Sequence, residues 1–202
     1  MKKALLLVGA MFLLGPGGLA TAQSAPASGD IPIIKITPVS STITFDVEAS
    51  VALKGTFKKW DATLVFTSRD VTSGVLDIKI DAASVDTGSG MKNGKLKGDD
   101  FFDVKDNPYI TFHSTKVTET GPTTIVVDGT FTIRGVSKPA QVTFDVQGKG
   151  TGHGVVHGKM AFNRKDYGMN SNIPFIKIAN RVEVNINLKW KRVSGPPPVF
   201  QQ

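Results

Sequence analysis

The sequence predicts an all-β fold of about eight antiparallel strands, arranged either as a two-sheet sandwich or as a barrel. Apolar and polar residues alternate through most of the chain, as in residues 181–190, RVEVNINLKW. This period of two is typical of strands with one buried face and one solvated face, which are the strands of antiparallel sheets. Turns rich in Gly, Pro and Asp, such as ETGP at 119–122, separate the alternating segments. The alternation alone does not distinguish a sandwich from a barrel.

The alternation assigns the strands in chain order. Strands are expected at residues 41–50, 57–66, 75–81, 109–117, 124–136, 141–147, 155–162 and 181–190. The connection at residues 91–104 lacks the alternation, and one or two short helices are expected there. Gly94 and Gly98 weaken this helical prediction because glycine has a low helix propensity.

The N-terminus has the pattern of a secretory signal peptide. Lys2 and Lys3 precede an apolar run at residues 4–14, and Ala20-Thr21-Ala22 supplies the small residues of a cleavage site. The run is shorter than the ~20 apolar residues that span a bilayer. We therefore predict a signal peptide at 1–22, cleavage near Ala22, no transmembrane span, and a periplasmic or secreted mature protein.

The remaining chain is expected to form one domain with short flexible ends. Residues 23–30 are small and polar and predict a flexible leader, residues 31–193 form the domain, and the Pro-rich segment 194–202 predicts a disordered tail. The chain contains no cysteine, so neither disulfides nor thiolate metal sites contribute to it.

The basic charge does not indicate a nucleic-acid partner. The net charge is +7, but the basic residues alternate with acids along the strands rather than forming an arginine-rich tract. This arrangement is typical of a solvated face, and export of the protein further disfavours nucleic acid as a partner.

The residue patterns favour no catalytic, cofactor or metal site. His153 and His157 have the spacing of helical zinc ligands, but the glycines around them disfavour a helix. On a strand, four residues span roughly 13 Å, too far for two ligands of one ion. His113 has no second candidate ligand near it in sequence. Nucleophile-elbow, phosphate-loop and dinucleotide-binding motifs are lacking.

The triplet Asp86-Thr87-Gly88 is the strongest enzymatic candidate, because it resembles the catalytic loop of an aspartic protease. Such an enzyme needs two carboxylates from two loops, and this chain carries one copy, so a homodimer would be required. The alternative interpretation, which we favour, is a turn that leaves the preceding strand.

Three motifs carry a family resemblance. They are DFFD at 100–103, TIRGV at 132–136 and NRKDYG at 163–168. With their order and separation across residues 36–191, they resemble the YceI-like family of exported polyisoprenoid-binding proteins. The resemblance implies a single extended, eight-stranded antiparallel β-barrel of lipocalin-like shape. It also implies a long apolar lumen that holds an isoprenoid chain, with no further cofactor.

The resemblance, together with the apolar face of each strand, predicts the residues of a lipid site. The expected lining of the lumen is Phe45, Val47, Leu76, Ile78, Ile80, Phe112, Phe131, Ile133, Phe144, Phe162, Val184 and Ile186. Basic residues that could meet an anionic head group are Lys92, Lys95, Lys97, Arg164 and Lys165. The predicted ligand is a long-chain isoprenoid or quinone-type lipid, and a homodimer is possible. A stress or surface-interaction protein that binds no lipid is the second hypothesis, and the Asp86 protease is the third.

Overall fold

Ten strands form one curled antiparallel sheet in the computed structural model, which describes residues 31–50, 53–171 and 177–201. The strands are β1 Ile33–Ala49, β2 Leu53–Phe57, β3 Trp60–Val65, β4 Val75–Asp81, β5 Val85–Asp86, β6 Tyr109–Glu119, β7 Thr124–Ile133, β8 Val136–Gln147, β9 His153–Asn163 and β10 Ile178–Ser194. The predicted signal peptide and leader lie outside the described residues.

The sheet curls into a barrel because its two ends approach each other. The strand order is β3-β4-β6-β7-β8-β9-β10-β1-β2-β5, and every pair of neighbours is antiparallel. Strand β1, near one end of this order, also lies alongside β3 at the other end. The all-β, lipocalin-like barrel predicted from the sequence is confirmed.

The number of strands differs from the predicted eight. The expected strand at 57–66 is divided at Lys58 and Lys59, whose backbone N–H groups donate to Ser84 O at 3.1 Å and Ser84 Oγ at 3.0 Å. This bend separates β2 from β3. Strand β5 has only two residues, which is too short for a period of two to be seen in the sequence.

A short helix lies at one end of the barrel, within the connection that lacks alternation. Helix α1 covers Gly90–Lys97, and the Ser89 hydroxyl caps its first turn by accepting from the Lys92 N–H. Leu96 is its buried residue. Three 3₁₀ turns, Val71–Ser73, Ala82–Ser84 and Arg164–Tyr167, lie between strands.

The C-terminal residues differ from the predicted disordered tail. The Val199 N–H donates to Arg69 O at 2.7 Å, and the Val71 N–H donates to Val199 O at 3.0 Å. Residues 195–201, called the C-terminal strap below, are therefore bound along the connection between β3 and β4. Three consecutive prolines resemble a disordered segment in composition, but their fixed φ angles also lower the entropy lost when the segment docks.

Candidate functional site

Two apolar cavities lie inside the barrel. The first has a volume of about 100 Å³ and the second of about 60 Å³. On β4, Leu76 lines the first cavity and Ile80 lines the second. On β10, Leu188 lines the first and Val184 lines the second. On both strands, the residue that lines the first cavity lies nearer to one end of the barrel, and the residue that lines the second cavity lies nearer to the other end. The cavities therefore lie end to end along the barrel.

A layer of packed side chains divides the two cavities. Ile78 lies between Leu76 and Ile80 on the buried face of β4, and Phe112 is its cross-strand partner on β6. Ile186 occupies the equivalent place on β10. These three residues are buried but line neither cavity. The sequence predicts them as lining, whereas the structure places them in the dividing layer.

The other nine predicted lining residues lie on the cavity walls. Leu76 and Phe144 line the first cavity. The residues that line the second cavity are Phe45, Val47, Ile80, Phe131, Ile133, Phe162 and Val184.

The second cavity also has aromatic walls that the alternation does not reveal. Phe57 and Phe102 lie 5.7 Å apart between ring centroids, and each also contacts Phe45. Phe101 lines the same cavity. Phe101 and Phe102 come from the irregular connection after α1, so the DFFD motif, rather than a periodic pattern, is the sequence signal that could identify them.

Arg164 is not an exposed partner for a head group. Its residue is only 3% exposed, and its guanidinium donates to Ala179 O at 3.2 Å, Ser171 O at 3.2 Å and Met169 O. Burial lowers the pKa of the guanidinium below its usual value. Its side chain lines the second cavity, but these hydrogen bonds join the turn after β9 to the start of β10. These contacts give Arg164 a structural role, and a head-group role for it stays a prediction.

The four predicted lysines lie at the same end of the barrel as Arg164, because Leu96 of α1 also lines the second cavity. Lys92, Lys95 and Lys97 belong to α1, and Lys165 follows Arg164 in the 3₁₀ turn. The Lys95 ammonium pairs with the Asp100 carboxylate and lowers the pKa of that carboxyl.

The strap lies at the opposite end of the lumen. Pro197, Pro198 and Phe200 line the first cavity, and the Phe200 ring lies 3.9 Å from the Lys149 Nζ. The first strand contributes Ile34 and Ile36, which precede the expected start of that strand. The strap could not be found from periodicity because its contacts are with residues far away in sequence.

Asp86 is engaged in the turn that the sequence favours for it. Its carboxylate accepts from the Gly88 N–H at 2.9 Å and from the Asn93 side chain at 3.3 Å, and Lys58 lies 3.5 Å away. These contacts lower the pKa of Asp86, with the Gly88 hydrogen bond as the largest cause. The carboxylate therefore links the end of β5 to α1.

Two histidines pair with polar side chains on neighbouring strands. His113 Nδ1 lies 2.6 Å from Asp77, and His157 Nδ1 lies 2.6 Å from Asn187. Within the described residues, no group of three His, Cys, Asp or Glu side chains is placed to hold a metal ion. None of the helices in that part of the chain is both long enough and apolar enough to cross a membrane.

The chain is similar to a known family in sequence. The model of the YceI-like domain matches residues 35–190. A curated relative, the UPF0312 protein of Pseudomonas syringae pv. tomato, is 32% identical over 122 residues, which cover 58% of this chain and 64% of the relative. The match thus spans a little under two thirds of that relative's length.

Solved structures share the fold. BcnA of Burkholderia cenocepacia superposes with a TM-score of 0.70 at 25% identity, covering 77% of this chain and 99% of BcnA. A polyisoprenoid binding domain from Saccharophagus degradans, implicated in plant cell wall breakdown, has a TM-score of 0.61 at 16% identity. It covers 80% of this chain and 99% of that domain, and at this identity the likeness shows the fold alone.

Proposed function

The chain belongs to the YceI-like family, and from this premise we propose that it binds a long-chain isoprenoid lipid inside its barrel. The ligand class is a polyprenyl phosphate or a quinone-like lipid. The structural likeness to a polyisoprenoid binding domain supports this class of ligand. The protein acts as a binding protein, not as an enzyme.

The end-to-end arrangement of two apolar cavities is the observation that carries the proposal. Among the residues that the structure describes, every one that lines the second cavity is apolar except Arg164, whose donors are directed to backbone carbonyls. Such a lumen offers an elongated hydrocarbon chain two apolar cavities in line, separated by the dividing layer. Burial of each CH₂ contributes about 0.8 kcal/mol, so a few isoprene units bind firmly without polar contacts.

A ligand hydrocarbon longer than one isoprene unit requires the dividing layer to move. Each cavity is smaller than the roughly 150 Å³ that admits a benzene molecule in another protein. The ligand therefore displaces the side chains of Ile78, Phe112 and Ile186 when it passes from one cavity to the other. The gain in buried hydrocarbon offsets the cost of this rearrangement.

The cellular role we propose is storage or transport of this lipid in the periplasm or outside the cell. The signal-peptide pattern at residues 1–22 supports export. A barrel that shields the lipid from water solves the problem of moving an apolar chain through an aqueous compartment.

Native mass spectrometry of the purified mature protein tests the proposal. The protein is incubated with geranylgeraniol, an uncharged isoprenoid alcohol, and we expect a complex of defined stoichiometry. Organic extraction of protein from its native host is expected to release an isoprenoid lipid. If no complex forms and the extract contains no such lipid, the surface-interaction hypothesis replaces this one.

A matched pair of variants on β10 locates the ligand. Val184→Phe places a ring in the second cavity and is expected to weaken geranylgeraniol binding about tenfold or more. Val193→Phe adds the same ring at a position 61% exposed and should leave binding unchanged. Melting curves of both variants establish that the barrel is folded. Equal affinities of the two folded variants would contradict a ligand in the lumen.

A further inference from the structure

Two buried N–H groups at the strap end of the lumen have no acceptor in the part of the chain that the structure describes. They are Nε1 of Trp190 and Nε of Arg192. Both residues belong to β10 and are two positions apart, so their side chains leave the same face of the strand. Both line the first cavity.

Unpaired donors are unusual in a buried site. A buried donor without a partner destabilises the folded state, and most buried polar groups in folded proteins are hydrogen-bonded. A second cavity of similar character exists in this barrel, and there the buried Arg164 is bonded to backbone carbonyls. At the strap end, Arg192 Nη1 donates to Gly195 O, which leaves Nε of Arg192 and Nε1 of Trp190 as the unpaired donors. The two ends of the lumen therefore differ: the strap end holds donors that a ligand atom can satisfy.

The charges around the first cavity favour an anionic acceptor. Arg192 and Lys149 line it, and its lining includes neither Asp nor Glu within the described part of the chain. Two acids outside this lining bind the end of the strap: Glu119 accepts from the Gln201 N–H at 2.9 Å, and Asp70 accepts from the Gln201 side chain at 2.9 Å. Hydrogen bonds between an arginine and an anionic oxygen are stronger than neutral ones.

We propose that the first cavity binds the polar head of the isoprenoid, and that this head carries an anionic oxygen group, such as a phosphate, that accepts from Trp190 and Arg192. The inference rests on the proposed function and deepens it by assigning a head-group class and an end of the barrel. It places the head opposite the α1 lysines that the sequence suggests. The hydrocarbon then extends through the dividing layer into the second cavity.

Binding of two matched probes tests the inference. Geranylgeranyl phosphate and geranylgeraniol share one hydrocarbon chain and differ in the head group. We expect wild-type protein to bind the phosphate about tenfold more tightly or better, a difference that corresponds to ~1.4 kcal/mol. A carboxylate probe, geranylgeranoic acid, shows whether any anionic oxygen suffices or a phosphate is required.

Two variants remove the donors while keeping most of the packing. Trp190→Phe deletes the indole N–H, and Arg192→Met deletes the guanidinium. Each is expected to lower affinity for the phosphate probe about five- to tenfold, with affinity for the alcohol nearly unchanged. NMR spectra provide a direct readout, in which the indole N–H resonance of Trp190 is assigned by its loss in Trp190→Phe. In the wild type, this resonance should shift when the phosphate probe is added, while the indole N–H resonance of Trp60 should not.

A control at the other end of the barrel makes the outcome decisive. The double variant Lys95→Gln, Lys97→Gln should retain the preference for the phosphate. If this variant loses the preference while Trp190→Phe and Arg192→Met keep it, the head lies at the α1 end and the inference is overturned. Equal affinity of wild type for both probes also overturns it. Failure of wild type to bind either probe contradicts the proposed function itself.

Discussion

The ring of Phe144 lies over the backbone of Gly158, its cross-strand partner on β9, so closely that a Cβ on Gly158 would come within 2.4 Å of the ring. The same arrangement recurs inside the barrel. A Cβ on Gly55 would meet the Phe45 ring at 2.5 Å, and one on Gly129 would meet the Phe112 ring at 2.6 Å. These glycines provide the space that three large rings need within the lumen.

Gly158→Ala is therefore expected to destabilise the barrel. Phe144 is only 2% exposed and cannot move away freely. We expect the free energy of unfolding to fall by about 1–3 kcal/mol, the usual cost of overpacking a core. Urea denaturation of wild type and variant provides the measurement.

Gly94→Ala is the matched control for this prediction. Gly94 lies within α1, and a Cβ there meets nothing within 4 Å. Alanine in a helix is favoured over glycine by roughly 0.5–1 kcal/mol, so this variant should gain stability. A Gly158→Ala protein as stable as Gly94→Ala would contradict close packing of Phe144 on the β9 backbone.

The face of each strand could be predicted from the sequence because alternation is a local property. Nine of the twelve predicted lining residues lie on a cavity wall for this reason. The depth of a residue along the barrel depends on register between strands, which alternation does not specify. Ile78, Phe112 and Ile186 share the inward face with their neighbours, and only the three-dimensional pairing shows that they form the dividing layer.

Long-range contacts account for the rest of what the sequence could not show. Arg164 follows a strand within a polar segment, where the sequence predicts an exposed turn. Its burial follows from the chain around it, which places the carbonyls of Met169, Ser171 and Ala179 against its guanidinium. The Val199 backbone of the strap bonds to Arg69 and Val71, which are more than a hundred positions away in sequence. The polar composition around Arg164 and the Pro-rich composition of the strap are both compatible with the ordered conformations that the structure shows, but neither composition predicts them.

Tyr167 gives the barrel a defined response to alkaline pH. It is 3% exposed, and its ring packs edge-on to Phe131 at 5.4 Å and Phe162 at 5.3 Å between centroids. Burial, followed by the charge of Asp166, raises the pKa of Tyr167 above the ordinary value of about 10. The folded state disfavours the ionised phenol, so the stabilisation is full below pH about 10 and is lost as the pH rises through the raised pKa.

Tyr167→Phe keeps the ring and removes the titrating hydroxyl. We expect its stability to decline less steeply than that of wild type above pH about 10, measured by urea denaturation at a series of pH values. Tyr109→Phe, at a position 49% exposed, should retain the wild-type profile. Identical alkaline slopes for wild type and Tyr167→Phe would show that this residue does not govern the response.

Docking of the strap depends on the Val199 backbone, so Val199→Pro should release it. Proline lacks the N–H that donates to Arg69 O at 2.7 Å. The Val71 amide, which donates to Val199 O at 3.0 Å, is then expected to exchange its hydrogen about tenfold faster, equivalent to ~1.4 kcal/mol of lost protection. Val199→Ala keeps both backbone bonds and should protect Val71 as wild type does. Unchanged exchange in Val199→Pro would mean that the strap is held by its side chains instead.

Arg164 is expected to stabilise the fold through its planar guanidinium, not through charge alone. Its Nε group donates to Ala179 O and its Nη1 group donates to Ser171 O, each at 3.2 Å. Lysine carries the same charge but cannot reach both carbonyls with one ammonium group. We therefore expect Arg164→Lys to lower the free energy of unfolding by about 2–4 kcal/mol, since hydrogen bonds from charged groups contribute roughly 1.5–3 kcal/mol each.

Lys165→Gln, at the exposed neighbouring position, should change stability by less than about 0.5 kcal/mol. A loss equally small in Arg164→Lys would show that positive charge near the carbonyls is sufficient.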